Sequence, residues 1–189
     1  MNVKVVLVDF YDSFTFNLVH YFEQLDVDIK VIRHDDLNLE VLKTFDALVL
    51  SPGPGLPKEK KNLQELLQQF AGVKPIFGVC LGMQAIGTYL GGTLVNQSVV
   101  KHGVQEAIHV KSHSGLFAAL PSEFKVGLYH SWKVEDLPLE IQSSFTDKGV
   151  CMSIEDPSRK LFGVQFHPES ILTENGLKIL SNFIQLAQQ

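Results

Sequence analysis

Gly78-Val79-Cys80-Leu81-Gly82-Met83-Gln84 follows the apolar run Pro75-Ile76-Phe77 and leads into Ala85-Ile86-Gly87. The apolar run reads as a buried parallel strand, and the residues after Cys80 read as a helix. Between the two stands a cysteine with a glycine two residues away on either side. Glycines in those places permit a tight strand-to-helix turn, which exposes the intervening side chain at the C-terminal end of a sheet. The helix N-terminus then stabilises a thiolate through its dipole and its free N–H groups. The plainer reading is a buried structural cysteine, since free cysteine is among the most buried residue types. The glycine bracket favours the nucleophile.

Working outward, residues 3–8, 28–32 and 47–50 are further apolar runs of strand length and join residues 75–79 as four buried parallel strands. Phe14, Leu18, Phe22 and Leu25 fall at helical spacing, with Asp12 or Ser13 as the N-cap. Leu63, Leu66, Leu67 and Phe70 repeat the pattern. Such alternation implies βαβ units and a mostly parallel central sheet flanked by helices. Residues 93–166 change character. Short β-rich segments, with turns near Pro121, Asp147-Lys148-Gly149 and Asp156-Pro157, predict a smaller, partly antiparallel β region. A closing helix starts after Thr173 or Asn175 and places Leu177, Leu180 and Ile184 on one face. The fold class is α/β, in a single domain over residues 1–189.

Composition narrows the function. The chain has 189 residues, ordinary for one domain, and 16 basic against 21 acidic residues give a net charge of −5. A nucleic-acid or anionic-membrane binder carries a basic surplus, so neither partner is expected. Two cysteines make neither a disulfide framework nor a four-thiolate zinc site. No signal-peptide pattern and no membrane-length apolar stretch is evident, and the expected location is cytoplasmic. His109 and His113 lack an HExxH pattern and a third ligand, so no metal site is expected in this chain. Cys151 has no glycine bracket and reads as core; His20 reads as structural or exposed.

Two further segments carry chemistry. In Gln165-Phe166-His167-Pro168-Glu169-Ser170, Pro168 favours an extended His167. Residues two apart on an extended chain point the same way, roughly 6.6 Å apart, so Glu169 can support the His167 ring. His167 is then a general base and acid for Cys80. A surface turn with an ordinary His–Glu pair is the plainer alternative. Ser51-Pro52-Gly53-Pro54-Gly55 follows a strand but matches neither phosphate-binding glycine motif. The prolines lack N–H groups, so its free amides belong to Gly53 and Gly55, whose missing side chains admit a ligand. Such a loop can offer a donor to an oxyanion, or it can be a rigid turn. Tyr129-His130-Ser131-Trp132 holds the one tryptophan and lines a pocket or simply packs.

These segments together resemble the class I (triad) glutamine amidotransferase family, above all the small subunits (component II) of anthranilate synthase and aminodeoxychorismate synthase. The likeness runs over almost the whole chain. It is carried by Asp9-Phe10-Tyr11-Asp12-Ser13-Phe14-Thr15, the Ser51–Gly55 loop, Gly78-Val79-Cys80-Leu81-Gly82 with Gln84-Ala85-Ile86-Gly87, His102-Gly103, Tyr129-His130-Ser131, and residues 163–172. The resemblance implies that Cys80 attacks the glutamine side-chain amide, His167 shuttles protons and Glu169 orients it. It implies an oxyanion hole from the amides of Gly53 and Leu81. It also implies glutamine binding by Gly53, Pro54, Gly55, Leu81, Gln84, Ser131 and Trp132. Ammonia released here would be lost in bulk water. The implied partner is therefore a larger, chorismate-binding synthase subunit that uses the ammonia and carries any Mg2+; no cofactor is implied for this chain.

Anthranilate synthesis for tryptophan is the leading expectation, with aminodeoxychorismate synthesis for folate as the alternative. More remote alternatives are a stand-alone γ-glutamyl cysteine hydrolase and a catalytically silent regulatory subunit. The chain departs from the family pattern where Met83 replaces a usual His and Val104 a usual Lys. It departs again where Lys58-Glu59-Lys60-Lys61 replaces a small Ala-Gly pair. None of these is a triad position; they bear on the partner contact and the loop that senses it.

Overall fold

The structure is a computed structural model and describes residues 2–189. The four apolar runs form β1 (Lys4–Asp9), β2 (Asp28–Arg33), β3 (Ala47–Leu50) and β4 (Ile76–Val79). Helices α1 (Thr15–Glu23), α2 (Leu39–Leu42) and α3 (Leu63–Phe70) fill the connections, and α4 (Leu81–Tyr89) follows β4. All four residues of β3 and of β4 are buried. The reason lies in the twofold alternation of a strand. Val5 and Leu7 point to one face, onto Leu18 and Phe22 of α1; Val6 and Val8 point to the other, with Leu66 and Phe70 of α3. Helices cover both faces, so every strand position must be apolar.

The remainder of the chain contributes β5 (Thr93–Val110), β6 (Glu123–Glu135), β7 (Gln142–Thr146), β8 (Cys151–Asp156), β9 (Leu161–Val164) and α5 (Gly176–Ala187). The strands form one sheet in the order β2-β1-β3-β4-β9-β8-β7-β5-β6. β9 pairs parallel with β4 and antiparallel with β8, so it joins a parallel half to an antiparallel half. The antiparallel region thus continues the central sheet.

Two expectations are corrected here. The segments after residue 93 are not uniformly short: β5 runs for 18 residues and β6 for 13. Register shifts between Asn96 and Lys101 and between His102 and Val104 interrupt their pairing, and Gly103 has φ +69°. Each bulge resets the in–out alternation, so one long strand reads as fragments. Leu177 is not on the buried face of α5, being 36% exposed; Ile179, Leu180, Phe183 and Ile184 form that face. The expected turns do occur, with Asp147-Lys148-Gly149 between β7 and β8 and a 3₁₀ turn, Pro157–Arg159, between β8 and β9. The N-cap of α1 is Phe14, one residue after Ser13 and two after Asp12, but the Asp12 carboxylate accepts the Phe14 N–H at 2.8 Å.

The glycine bracket serves close packing. A Cβ on Gly78 would lie 2.3 Å from the Gly82 carbonyl carbon, and one on Gly82 would lie 2.4 Å from the Leu50 carbonyl oxygen. Helix α4 therefore rests directly on the backbones of β4 and β3. Gly78→Ala is expected to cost about 3 kcal/mol or more, the upper end for overpacking, because backbone is what it meets. Denaturant unfolding measures this; a midpoint unchanged from wild type would contradict the packing argument.

Candidate active site

Cys80 occupies the corner between β4 and α4. Its own backbone takes the unusual conformation, with φ 51° and ψ −101°, a strain of about 1–3 kcal/mol for a non-glycine residue. The corner is held on both sides. The Cys80 N–H donates to the Val164 carbonyl at 2.8 Å, and the Cys80 carbonyl accepts the Gln84 N–H at 2.9 Å. The side chain is 7% exposed, buried yet open to a cavity. Leu81 is the first residue of α4, where an N–H has no intrahelical acceptor.

His167 and Glu169 lie on the loop after β9. Nδ1 of His167 and Oε1 of Glu169 are 2.7 Å apart, and both residues are almost fully buried. The expected pairing is present, but its origin is different. The Ser170 N–H donates to the His167 carbonyl at 3.1 Å, which closes a turn with Pro168 second and Glu169 third. Proline presets the second position of such a turn. An extended chain is therefore not what brings the carboxylate to the ring. Strand β6 anchors this turn: the His167 N–H donates to the Gly127 carbonyl at 3.1 Å, and Thr173 Oγ1 accepts the Gly127 N–H at 2.9 Å.

Two buried histidines are pushed in opposite directions. For His167, burial is the largest influence and disfavours the cation. The Glu169 carboxylate bonded to the ring and the nearby Cys80 sulfur together outweigh it and push the pKa up to about 10. Nε2 of His167, opposite the nitrogen held by Glu169, has no completed hydrogen bond among the described residues. For His130, burial dominates and lowers the pKa to about 4, helped by the charges of Lys101 and His167. At neutral pH His130 is neutral and His167 is a cation.

The cavity at Cys80 has a volume of about 270 Å³ and is lined by Gly53, Pro54, Gly55, Leu56, Gln84 and the Tyr129-His130-Ser131-Trp132 segment. Of the substrate-binding residues expected from the sequence, Gly53, Pro54, Gly55, Gln84, Ser131 and Trp132 line this cavity and Leu81 does not. A larger cavity, about 430 Å³, lies against α3 and α4 and has no nucleophile–base pair on its wall. The role of the Gly53 side-chain vacancy is corrected. A Cβ there would lie 2.6 Å from Phe10 Cβ, so the absent side chain makes room for Phe10. Gly55 has φ +75° and a neighbouring Glu59 carboxylate, which accepts the Leu56 N–H at 2.9 Å.

Several contacts were not foreseen. Phe14 sits edge-on to the His167 ring with centroids 5.4 Å apart, and Tyr129 does the same at 4.9 Å. Tyr129 Oη also lies 2.9 Å from Ser170 Oγ. Asp9 explains how Phe14 reaches the site: its Oδ1 accepts the Tyr11 N–H at 2.9 Å and the Thr15 hydroxyl at 2.8 Å, folding the loop after β1. Gln165 Nε2 donates to the Cys80 sulfur at 3.5 Å. The polar residue inside an apolar run, Val164-Gln165-Phe166, is the signal that would have found it.

The other sequence candidates lie elsewhere. His109 pairs with Asp147 and Glu123 at the surface, and the Asp147 carboxylate raises its pKa. His113 Nδ1 meets the Leu120 carbonyl. His20 is exposed on α1. Cys151 is core, and burial pushes its thiol up to about 12, which leaves it unreactive at neutral pH. Met83 is fully buried against Gly163, so that departure from the family pattern cannot touch a partner. Val104, at 42% exposed, is accessible to one. Among the described residues no helix is long and apolar enough to cross a membrane, and no group of three or more His, Cys, Asp or Glu is placed to hold a metal ion.

The fold agrees with what the chain is similar to. Residues 6–186 match the class-I glutamine amidotransferase domain model. Anthranilate synthase component 2 of Lactococcus lactis is 42% identical, over 95% of this chain and 93% of that protein. Its counterpart in Pseudomonas aeruginosa is 41% identical, over 96% and 94%. A solved structure from Thermoplasma acidophilum, provisionally described as a GMP synthase subunit, superposes with a TM-score of 0.90 at 25% identity, covering 100% of this chain and 95% of that one. The chain belongs to the class-I glutamine amidotransferase family, whose members are enzymes.

Proposed function

We propose that the chain is the glutaminase subunit of an anthranilate-forming synthase. It hydrolyses L-glutamine through Cys80, His167 and Glu169 and passes ammonia to a chorismate-binding large subunit. The observation that carries this reading is the buried His167–Glu169 pair, at 2.7 Å, with the Cys80 sulfur near the ring. Cys80 attacks the side-chain amide carbon of glutamine, and the N–H groups of Gly53 and Leu81 meet the oxyanion that forms. His167 gives its proton to the amide nitrogen, ammonia leaves, and a γ-glutamyl thioester remains on Cys80. Water, losing a proton to His167, attacks the thioester; glutamate departs and the Cys80 sulfur is regenerated. Glu169 keeps the ring oriented and offsets its positive charge.

Pro54, Gly55, Gln84, Ser131 and Trp132 hold the amino acid in the cavity of about 270 Å³. The large subunit, its Mg2+ and the transfer of ammonia belong to the same proposal. The names of the relatives favour anthranilate over aminodeoxychorismate as the product. The test is synthesis from glutamine and chorismate by this chain with a chorismate-binding large subunit, the aromatic product being identified. Anthranilate is expected. Aminodeoxychorismate would move the chain to the other pathway, and no glutamate release by a demonstrably formed complex would overturn the reading.

A further inference from the structure

Gln165 is fully buried, and its backbone N–H is satisfied by the Met152 carbonyl at 2.9 Å. Its side chain joins two residues of the site. Nε2 donates to Cys80 Sγ at 3.5 Å, and Oε1 accepts from Gln84 Nε2 at 3.2 Å. The same Gln84 nitrogen donates to the Trp132 carbonyl at 3.1 Å. The direction of this chain is fixed from one end. A main-chain carbonyl can only accept, so Gln84 must turn its nitrogen to Trp132. The second hydrogen on that nitrogen then requires an acceptor, and Gln165 supplies Oε1. Its own N–H group is left facing the sulfur. An apolar residue at 165 would leave a buried donor on Gln84 unmatched and would remove the donor at Cys80.

We propose that Gln165 is a positioning residue that holds the Cys80 sulfur and the Gln84 amide in one geometry, so that the wall of the glutamine cavity and the nucleophile are set together. With both hydrogens of Gln84 engaged inside the protein, its Oε1 is the atom left for a ligand, on the wall of the cavity. The proposal rests on the glutaminase reading above. It adds a link that the triad alone lacks, between the strand β9 loop, helix α4 and strand β6.

The test uses two variants, each in complex with the large subunit. Gln165→Met keeps the length and removes both hydrogen bonds. It is expected to lower glutamine kcat/KM by about 10- to 100-fold, the scale of a small misplacement at a reacting centre, with KM raised as well as kcat lowered. Gln165→Glu keeps the shape. While protonated it can accept from Gln84 and donate to the sulfur; once ionised it can only accept, and its charge opposes a thiolate. Its activity relative to wild type is expected to fall as pH rises from 6 to 9. A residue that merely fills space would tolerate methionine, with kcat and KM both near wild type. Ammonia-dependent synthesis should be unchanged in both variants, which establishes that fold and complex are intact. A Gln165→Met variant within twofold of wild type, or a pH-independent ratio for Gln165→Glu, would overturn the positioning role. A wild-type complex without glutamine hydrolysis would instead overturn the glutaminase reading, and this role with it.

Discussion

Cys80→Ser is expected to lower glutamine-dependent synthesis by about 10,000-fold or more while leaving ammonia-dependent synthesis by the complex intact. Losing the nucleophile of a covalent mechanism removes the pathway itself, and losses of this order follow when one member of a catalytic unit is deleted. Serine nearly preserves the shape at the corner, where φ is 51°, so the packing of α4 on Gly78 should persist. The hydroxyl is a far weaker nucleophile than a thiolate at neutral pH. Added ammonia bypasses the cavity and reports on assembly alone. Loss of both activities would show that Cys80 holds the fold together, as the buried-cysteine reading requires.

The second large effect is at Glu169. Glu169→Gln is expected to reduce glutamine kcat by about 100- to 10,000-fold, less than Cys80→Ser, because the residue orients and charges the ring without attacking. It should also change the pH profile in a definite direction. His167 is held as a cation up to about pH 10, since Cys80 and Glu169 together outweigh the burial that opposes the charge. The alkaline limb of kcat/KM, which reports the free enzyme, should therefore lie near pH 10 in the wild type. Removing the carboxylate leaves the burial and takes away one of the two opposing influences, so the limb should move to lower pH in Glu169→Gln. Profiles of kcat/KM for both proteins measure this. A limb that stays in place would mean that Glu169 does not support the imidazolium.

The three proposed catalytic residues were legible as candidates because each carries a local signal. Cys80 sits between glycines at a strand–helix junction, and His167 and Glu169 straddle a proline. The parallel half of the sheet was legible for a similar reason: strands covered on both faces must be apolar throughout, and such runs stand out. What escaped depended on contacts between distant segments. The space at Gly53 is claimed by Phe10, a residue forty-odd positions earlier, and no pattern within the loop says so. An extended chain would bring Glu169 near the His167 ring, but the contact is made by a turn, whose closing bond to Ser170 only the fold fixes. β5 reads as fragments in the sequence because bulges near residues 96–104 break its alternation. Met83 departs from a family pattern, but its burial against Gly163 makes it a matter of core packing.

The central claim is that the Cys80 sulfur is the atom that takes the γ-glutamyl group. A diazoketone analogue of glutamine, incubated with the complex, tests it most directly, with the modified residue located by peptide mass mapping. The account predicts one adduct per chain, on Cys80, formed more slowly when glutamine is present and absent in Cys80→Ser. An adduct on Cys151, or none on a complex that hydrolyses glutamine, would contradict it.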